Sequence, residues 1–178
     1  MTFQLPFEEK IYRQQIELTF KIAWKKYLTE TKKTLLIATI YIFLGIIILY
    51  GKGNIGGLFI ILGIVFTIIT LNRFNKYKAA KKTTSVITAE NIVKWHENPI
   101  SIWEFQNDYF RFKFYGGDYK INWDSFKYYR IVDETLFFGF KENGNWYTLS
   151  EIEIGKEDFP KVVEFVKSKI QPTNNNRL

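Results

Sequence analysis

The sequence predicts an α+β membrane protein: a two-helix transmembrane hairpin followed by a small antiparallel β-barrel capped by a C-terminal helix. Three observations predict it. Between Thr34 and Asn72 the only charged residue is Lys52, and Leu, Ile, Phe and Val dominate the rest. Basic residues crowd both outer ends of that stretch and leave its middle nearly bare. From Ile100 onward apolar and polar residues alternate in short runs separated by Asn, Asp and Gly, which is the period of half-buried strands.

Composition narrows the chemistry. Of 178 residues, 19% are aromatic, too many for a disordered chain, and no cysteine is present for a disulfide, a thiolate metal site or a thiol nucleophile. The single histidine, His96, excludes paired-histidine metal sites. A net charge of +7 would suit a nucleic-acid binder, but the charge is unevenly divided. Residues 1–82 carry 13 Lys+Arg against 4 Asp+Glu, whereas residues 83–178 carry 12 against 14. The basic excess belongs to the apolar stretch and its flanks, so no nucleic-acid partner is expected.

Residues 1–33 read as an amphipathic N-terminal juxtamembrane segment, helical over 14–33. Ile16, Phe20, Ala23, Trp24, Tyr27 and Leu28 recur at steps of three and four, with lysines mostly elsewhere. Such a face suits the inner membrane interface or packing on the cytoplasmic domain, and the two are compatible.

The hairpin, 34–72, comprises two 17-residue runs, 34–50 and 55–71, around the breaker Gly51-Lys52-Gly53-Asn54. Each spans about 26 Å as a helix, slightly short of the roughly 30 Å hydrocarbon core. Neither run keeps a polar face of the kind a surface helix of a soluble protein needs. A signal peptide is not expected, because the first run begins late and a second follows at once. Lys21, Lys25, Lys26, Lys32 and Lys33 precede the first span, and Arg73, Lys76, Lys78, Lys81 and Lys82 follow the second. Lys52 stands alone in the loop, so the expected localisation is the cell (inner) membrane with both termini cytoplasmic. No ionisable residue lies within either run, which argues against a proton relay or ion path.

Small residues form a stripe along the hairpin: Ala38 and Gly45 in the first span, Gly56, Gly63, Thr67 and Thr70 in the second. Small residues let helix backbones approach closely in lipid, so the stripe predicts packing within the hairpin, with a homo-oligomer contact as the alternative. Symmetry about Asn54 sets Gly45 level with Gly63 and Ala38 level with Thr70.

Residues 73–99 read as a cytoplasmic linker: helix for a few turns, then a short strand or turn near Asn91-Ile92-Val93, ended by Asn98-Pro99. Six strands are expected at 100–106, 109–115, 119–123, 126–132, 135–141 and 146–150, then a helix over 157–170. Phe159, Val162, Val163, Val166 and Ile170 share one face of that helix, and Pro160 falls in its first turn, where a missing N–H costs little. Residues 171–178 read as a disordered polar tail.

The segment Ile121-Asn122-Trp123-Asp124-Ser125-Phe126-Lys127, then Tyr128-Tyr129-Arg130-Ile131 and the closing helix, resembles the YcxB-like family of bacterial membrane proteins. The resemblance covers about residues 14–170 and makes Trp123, Asp124 and Phe126 its structural motif. Ser150-Glu151-Ile152-Glu153-Ile154 stands where the family usually has a Pro-Lys pair. What the resemblance implies is a two-helix anchor, a cytoplasmic domain like the pleckstrin-homology (PH) barrel over 100–170, and no established activity.

Catalytic chemistry is sparse. His96 with Glu97 would pair a base with a carboxylate, but neighbours on a strand point to opposite faces. Gly51-Lys52-Gly53-Asn54-Ile55-Gly56-Gly57 lacks both the preceding strand and the Lys-Ser/Thr ending of a phosphate loop. Trp103, Trp123 and Trp146 are expected in barrel core and rim. No catalytic residue, metal ligand or cofactor is assigned. The reading is a non-enzymatic, membrane-tethered binding or scaffold module whose partners are the lipid bilayer and a protein or second copy. The alternative is an auxiliary subunit of a larger membrane transport or envelope complex.

Overall fold

The computed structural model describes residues 1–141 and 144–170; the expected tail, 171–178, lies outside the described residues. The elements are β1 (Thr2–Pro6), α1 (Glu9–Tyr50), α2 (Gly56–Glu97), β2 (Ile100–Phe105), β3 (Tyr109–Phe114), β4 (Gly117–Asn122), β5 (Tyr128–Val132), β6 (Thr135–Lys141), β7 (Gly144–Ser150), α3 (Glu151–Ile154) and α4 (Asp158–Lys169). Two compact units result: Met1–Thr19 together with the chain from Thr88 on, and Phe20–Ile87.

The first unit holds two antiparallel sheets, one ordered β1-β2-β3-β4 and the other β5-β6-β7. Alternation explains which residues turn inward. In β2, Ser101, Trp103 and Phe105 are buried while Ile102 and Glu104 are less so. Phe105 pairs with Phe110 and Trp103 with Phe112 across the β2–β3 ladder. A 3-10 turn at Trp123–Ser125 carries the chain from one sheet to the other. Trp123, 4% exposed, sinks into the core there, and its indole N–H donates to the Gln106 carbonyl at 2.8 Å. Helix α4 closes the core with Phe159, Val162, Val163 and Val166 against Phe105, Phe110, Phe138 and Leu149. The β5–β6 hairpin turns on Asp133 and Glu134, both at positive φ (47° and 56°), as a two-residue twisted hairpin requires.

Two expectations about the chain on either side of the apolar runs are corrected. The segment ahead of the hairpin is more than an amphipathic helix, because β1 pairs with β2 through Phe3↔Trp103 and Leu5↔Ser101. Five residues ending in proline, with only two apolar positions in alternation, are too short a pattern to declare a strand. The stretch 83–97, expected to break into strand or turn, is helical as far as Glu97. Its run Thr83-Thr84-Ser85-Val86-Ile87-Thr88, β-branched at every position but Ser85, has weak helix propensity, which flanking helix readily overrides.

The second unit is a pair of antiparallel helical segments. Its buried residues are Thr31, Ala38 and Gly45 on α1 and Gly56, Gly63 and Thr70 on α2, seven apart along each helix. A Cβ built on Gly45 would lie 2.7 Å from the Gly56 carbonyl oxygen, and one on Gly63 would lie 3.0 Å from that of Ala38. One further heptad out, Trp24 meets Tyr77 edge-on at 5.6 Å. A second seam runs alongside it. Tyr41 stacks on Phe59 and Phe66, the Tyr27 hydroxyl donates to the Arg73 carbonyl, and Arg73 Nη1 donates to Thr34 Oγ1. Seven-residue steps are the signature of helix pairs with a left-handed supercoil.

This register corrects the symmetry about Asn54. Gly45 lies against Gly56 and Ile60 instead of level with Gly63, and Ala38 lies against Gly63 instead of level with Thr70. The cause is an unequal loop. Helix α1 closes in a tight cap in which Gly53 N–H bonds the Ile48 carbonyl and Lys52 N–H that of Leu49. Lys52 takes the left-handed conformation (φ 60°) such a cap demands. The chain has therefore reversed before Asn54, and the pairing midpoint shifts toward Gly51.

Candidate functional site

The described residues of the first unit enclose a cleft of about 380 Å³ between the start of α1, the end of α2, β1–β3 and the β7–α3 corner. One wall is aromatic because short alternating strands and two helix ends present rings to the same space. Phe7 stacks on Trp95 (centroids 5.2 Å apart, planes 3° apart), Tyr115 meets Trp95 edge-on at 5.0 Å, and Phe114 lies 5.6 Å from it. Tyr12 tilts against Phe7 at 5.6 Å, and its hydroxyl accepts a 3.4 Å bond from Asn91 Nδ2.

The opposite wall is polar and organised by Gln15, which is 7% exposed. Its amide Nε2 donates to Glu153 Oε2 at 2.5 Å and its Oε1 accepts from the Thr148 hydroxyl at 3.1 Å. Glu153 Oε2 also accepts the backbone N–H and the hydroxyl of Ser150, each at 2.7 Å. That geometry is a capping box: Ser150 opens α3 and the glutamate three residues on reaches back to it. Burial pushes the Glu153 carboxyl above its ordinary range, and Glu8 adds to the rise. The bonds from Ser150 and Gln15 pull the other way without cancelling it. Burial likewise raises the hydroxyls of Tyr115 and Tyr147. Among the described lining residues are two carboxylates, Glu8 and Glu153, and no Lys, Arg or His.

Of the residues singled out from sequence, Trp103 and Trp146 line the cleft and the others fall elsewhere. Trp123 and Phe126 are core, 4% and 3% exposed, with rings 5.4 Å apart; Asp124 sits exposed in the turn between them. Ala38, Gly45, Gly56, Gly63 and Thr70 lie along the helix seam. Thr67 is half-buried beside it, with its hydroxyl donated back to the Gly63 carbonyl. His96 stands in the last turn of α2 rather than on a strand, with Nε2 3.5 Å from Glu9 Oε2, and both are solvent-exposed. Trp103 is core at 5% exposure, and Trp146 is half-buried at the cleft. The cleft's key polar pair, Gln15 and Glu153, was not singled out. The one available signal was the Ser150-x-x-Glu153 spacing of a capping box. Among the described residues no group of three His, Asp or Glu side chains could hold a metal ion.

Both long helices are apolar enough to cross a membrane, and 11% of each apolar window is buried within the protein. Leu36, Phe43, Leu58 and Ile61 are each at least 60% exposed. Compared with known proteins, the chain matches no family model, no curated protein and no solved structure.

Proposed function

We propose that this chain is a two-span protein of the cell (inner) membrane, with both termini in the cytoplasm, whose sheet unit is a PH-like binding module held at the inner leaflet. The observation that carries the reading is the exposed apolar surface of the hairpin. Side chains such as Leu36, Phe43, Leu58 and Ile61 stand outward from a seam made of small residues. Water would penalise that surface by about 25 cal/mol per Å². Hydrocarbon would not. Charge supports the orientation, since ten Lys and Arg flank the open end of the hairpin and Lys52 alone marks its loop.

Sheet order supports the PH-like assignment. Four antiparallel strands, then three, then a helix packed on their common core suit a PH-like barrel, although the hairpin is inserted after the first strand, where the YcxB-like resemblance placed the whole domain after the hairpin. Binding, rather than catalysis, is the reading for the cleft. It offers aromatic faces and a carboxylate already engaged by three donors; the one hydroxyl among those donors, Ser150, is buried in the capping box and is not among the described residues that line the cleft.

Topology mapping tests the proposal. A reporter fused after Leu178 should be active only in the cytoplasm, and a cysteine placed at Asn54 should react with an impermeant thiol reagent from outside. A C-terminal reporter active only outside the cytoplasm overturns the orientation. Release of the chain from membranes by alkaline carbonate overturns the membrane assignment itself.

A further inference from the structure

We propose that the aromatic cleft binds an alkylated ammonium group, the cationic head of a small amine or of a lipid, between its ring wall and the Glu153 carboxylate. The inference rests on the reading of this unit as a binding module and names the chemical class it takes.

Sign is the first argument. Glu8 and Glu153 line the cleft, no basic side chain does so among the described residues, and a phosphate or carboxylate ligand would meet repulsion with no counter-charge in that lining, the nearby Arg130 being engaged over Trp146. Compensation is the second. Glu153 Oε2 accepts three hydrogen bonds, which is the pattern of an ionised carboxylate, yet all three donors are neutral. The one charged group acting on it is Glu8, of the same sign. A negative charge half-withdrawn from water without a cationic partner is a place where a ligand's positive charge is stabilised.

The ring wall decides which cation. Trp and Tyr faces attract cations most strongly when these are weakly hydrated. Trp95, Tyr115 and Tyr12 line one cavity with a single engaged carboxylate; Trp146 also lines it, but its ring already carries the Arg130 guanidinium 5.3 Å from the centroid, so the first three rings are the ones offered to a ligand. Sodium or magnesium would have to exchange a hydration shell for rings and would lose by it. A methylated ammonium gives up little water and fills space with methyl groups. The cleft volume, about 380 Å³, falls at the lower end of small-ligand sites.

Choline, tetramethylammonium and the neutral choline isostere 3,3-dimethylbutanol are the probes. Each would be titrated into the full chain in maltoside micelles and followed by tryptophan fluorescence and calorimetry. Choline should bind at least about tenfold more tightly than the isostere, a gap of roughly 1.4 kcal/mol. Glu153→Gln keeps a side chain able to complete the capping box and should remove most of that gap. Glu8→Gln, on an exposed side chain, should narrow it less and serves as the variant least able to disturb folding. Repeating the titration in nanodiscs separates the two sources of the ligand. Choline affinity unchanged between phosphatidylglycerol and phosphatidylcholine discs assigns a free amine; a loss of about tenfold in phosphatidylcholine assigns the lipid headgroup. Equal binding of choline and its isostere, or no choline binding by a folded chain, overturns the proposal. The topology assays above would read the membrane tether independently of either result.

Discussion

The two units of this chain bury opposite kinds of residue. In the sheet unit the most deeply buried side chains are large: Phe105, Phe110, Phe137, Phe138, Leu136 and Leu149, each at most 1% exposed. In the hairpin they are Thr31, Ala38, Gly45, Gly56, Gly63 and Thr70, while Leu, Ile and Phe stand outside. A unit surrounded by water gains by removing large apolar surfaces from it. A helix pair in hydrocarbon, the surroundings proposed for this one, gains nothing from that exchange, and closer approach of two backbones is what remains. The hydroxyls fit this contrast. Thr31 and Thr70 donate to carbonyls one turn back on their own helices, so neither carries an unsatisfied polar group into the seam.

The largest effect should come from the aromatic core. Trp123→Ala removes a 4%-exposed indole together with its bond to Gln106 and should destabilise the sheet unit by about 3–5 kcal/mol. That is a large part of what a small domain commonly has. Denaturant unfolding should be read on the full chain, since a fragment beginning after the hairpin lacks β1. A loss under about 1 kcal/mol would mean that the core tolerates the cavity and would blur the contrast.

Cysteine pairs come next and probe the seam. Thr31→Cys with Thr70→Cys should crosslink within one chain, because each lies one heptad beyond the Ala38–Gly63 approach. Ala38→Cys with Thr70→Cys should not, being about 10 Å out of step along the axis. Adding Gly63→Leu, whose Cβ would lie 2.5 Å from Ile42 Cγ1 and 3.0 Å from the Ala38 carbonyl oxygen, should abolish the first crosslink. The sheet unit's unfolding midpoint should stay put. Crosslinks between chains instead of within them would make the stripe an oligomer contact.

How much of this was legible depended on pattern length. Two 17-residue apolar runs and six alternating strands carry enough repeats to place themselves, and the expected strand 135–141 coincides with β6. The turn pairs Asn107-Asp108 and Asp133-Glu134 separated the strands as read. Strand β1 was invisible because two apolar residues make no period. The cleft was invisible for a different reason: Gln15, Trp95 and Glu153 lie up to 138 residues apart, and only the fold brings them together. The seam's composition was legible, but its register waited on the asymmetry of the loop cap.

Gln15→Ala tests that assembled polar wall. Losing its amide strips Glu153 Oε2 of one donor and leaves the Thr148 hydroxyl without its acceptor, for about 1–3 kcal/mol by unfolding of the full chain. No change would mean that water replaces the amide freely and that the wall is open.

The smallest effect is a pH slope. Burial holds the Glu153 carboxyl above its ordinary 4.5, so the folded chain takes up that proton at higher pH than the unfolded chain does. Ionising it costs the folded state more, and stability should fall as pH rises through the window just above 4.5. Glu153→Gln should lack this component, which is at most about 1.4 kcal/mol per pH unit. The difference between wild-type and variant denaturation midpoints, taken from pH 4 to pH 7, isolates it from the opposite-signed contribution of Asp118. The Arg111 guanidinium holds that carboxyl low. A difference that does not vary with pH would leave Glu153 without a desolvated charge and would weaken the case for a cationic ligand.

Strand β1 is separated from the strand it joins by both long apolar helices: Thr2 waits for Glu104, and Leu5 for Ser101. At a synthesis rate of about 5–20 residues per second, the earliest piece of the sheet spends several seconds with its backbone donors and acceptors unpaired. On the proposed membrane reading, the ribosome is delivering the hairpin to the insertion machinery during that interval. The sheet can close only after the last residues between the two strands have left the ribosome. On that reading insertion acts as a checkpoint in time, and a chain stalled there would present an open strand to whatever chaperone or protease surveys the membrane surface.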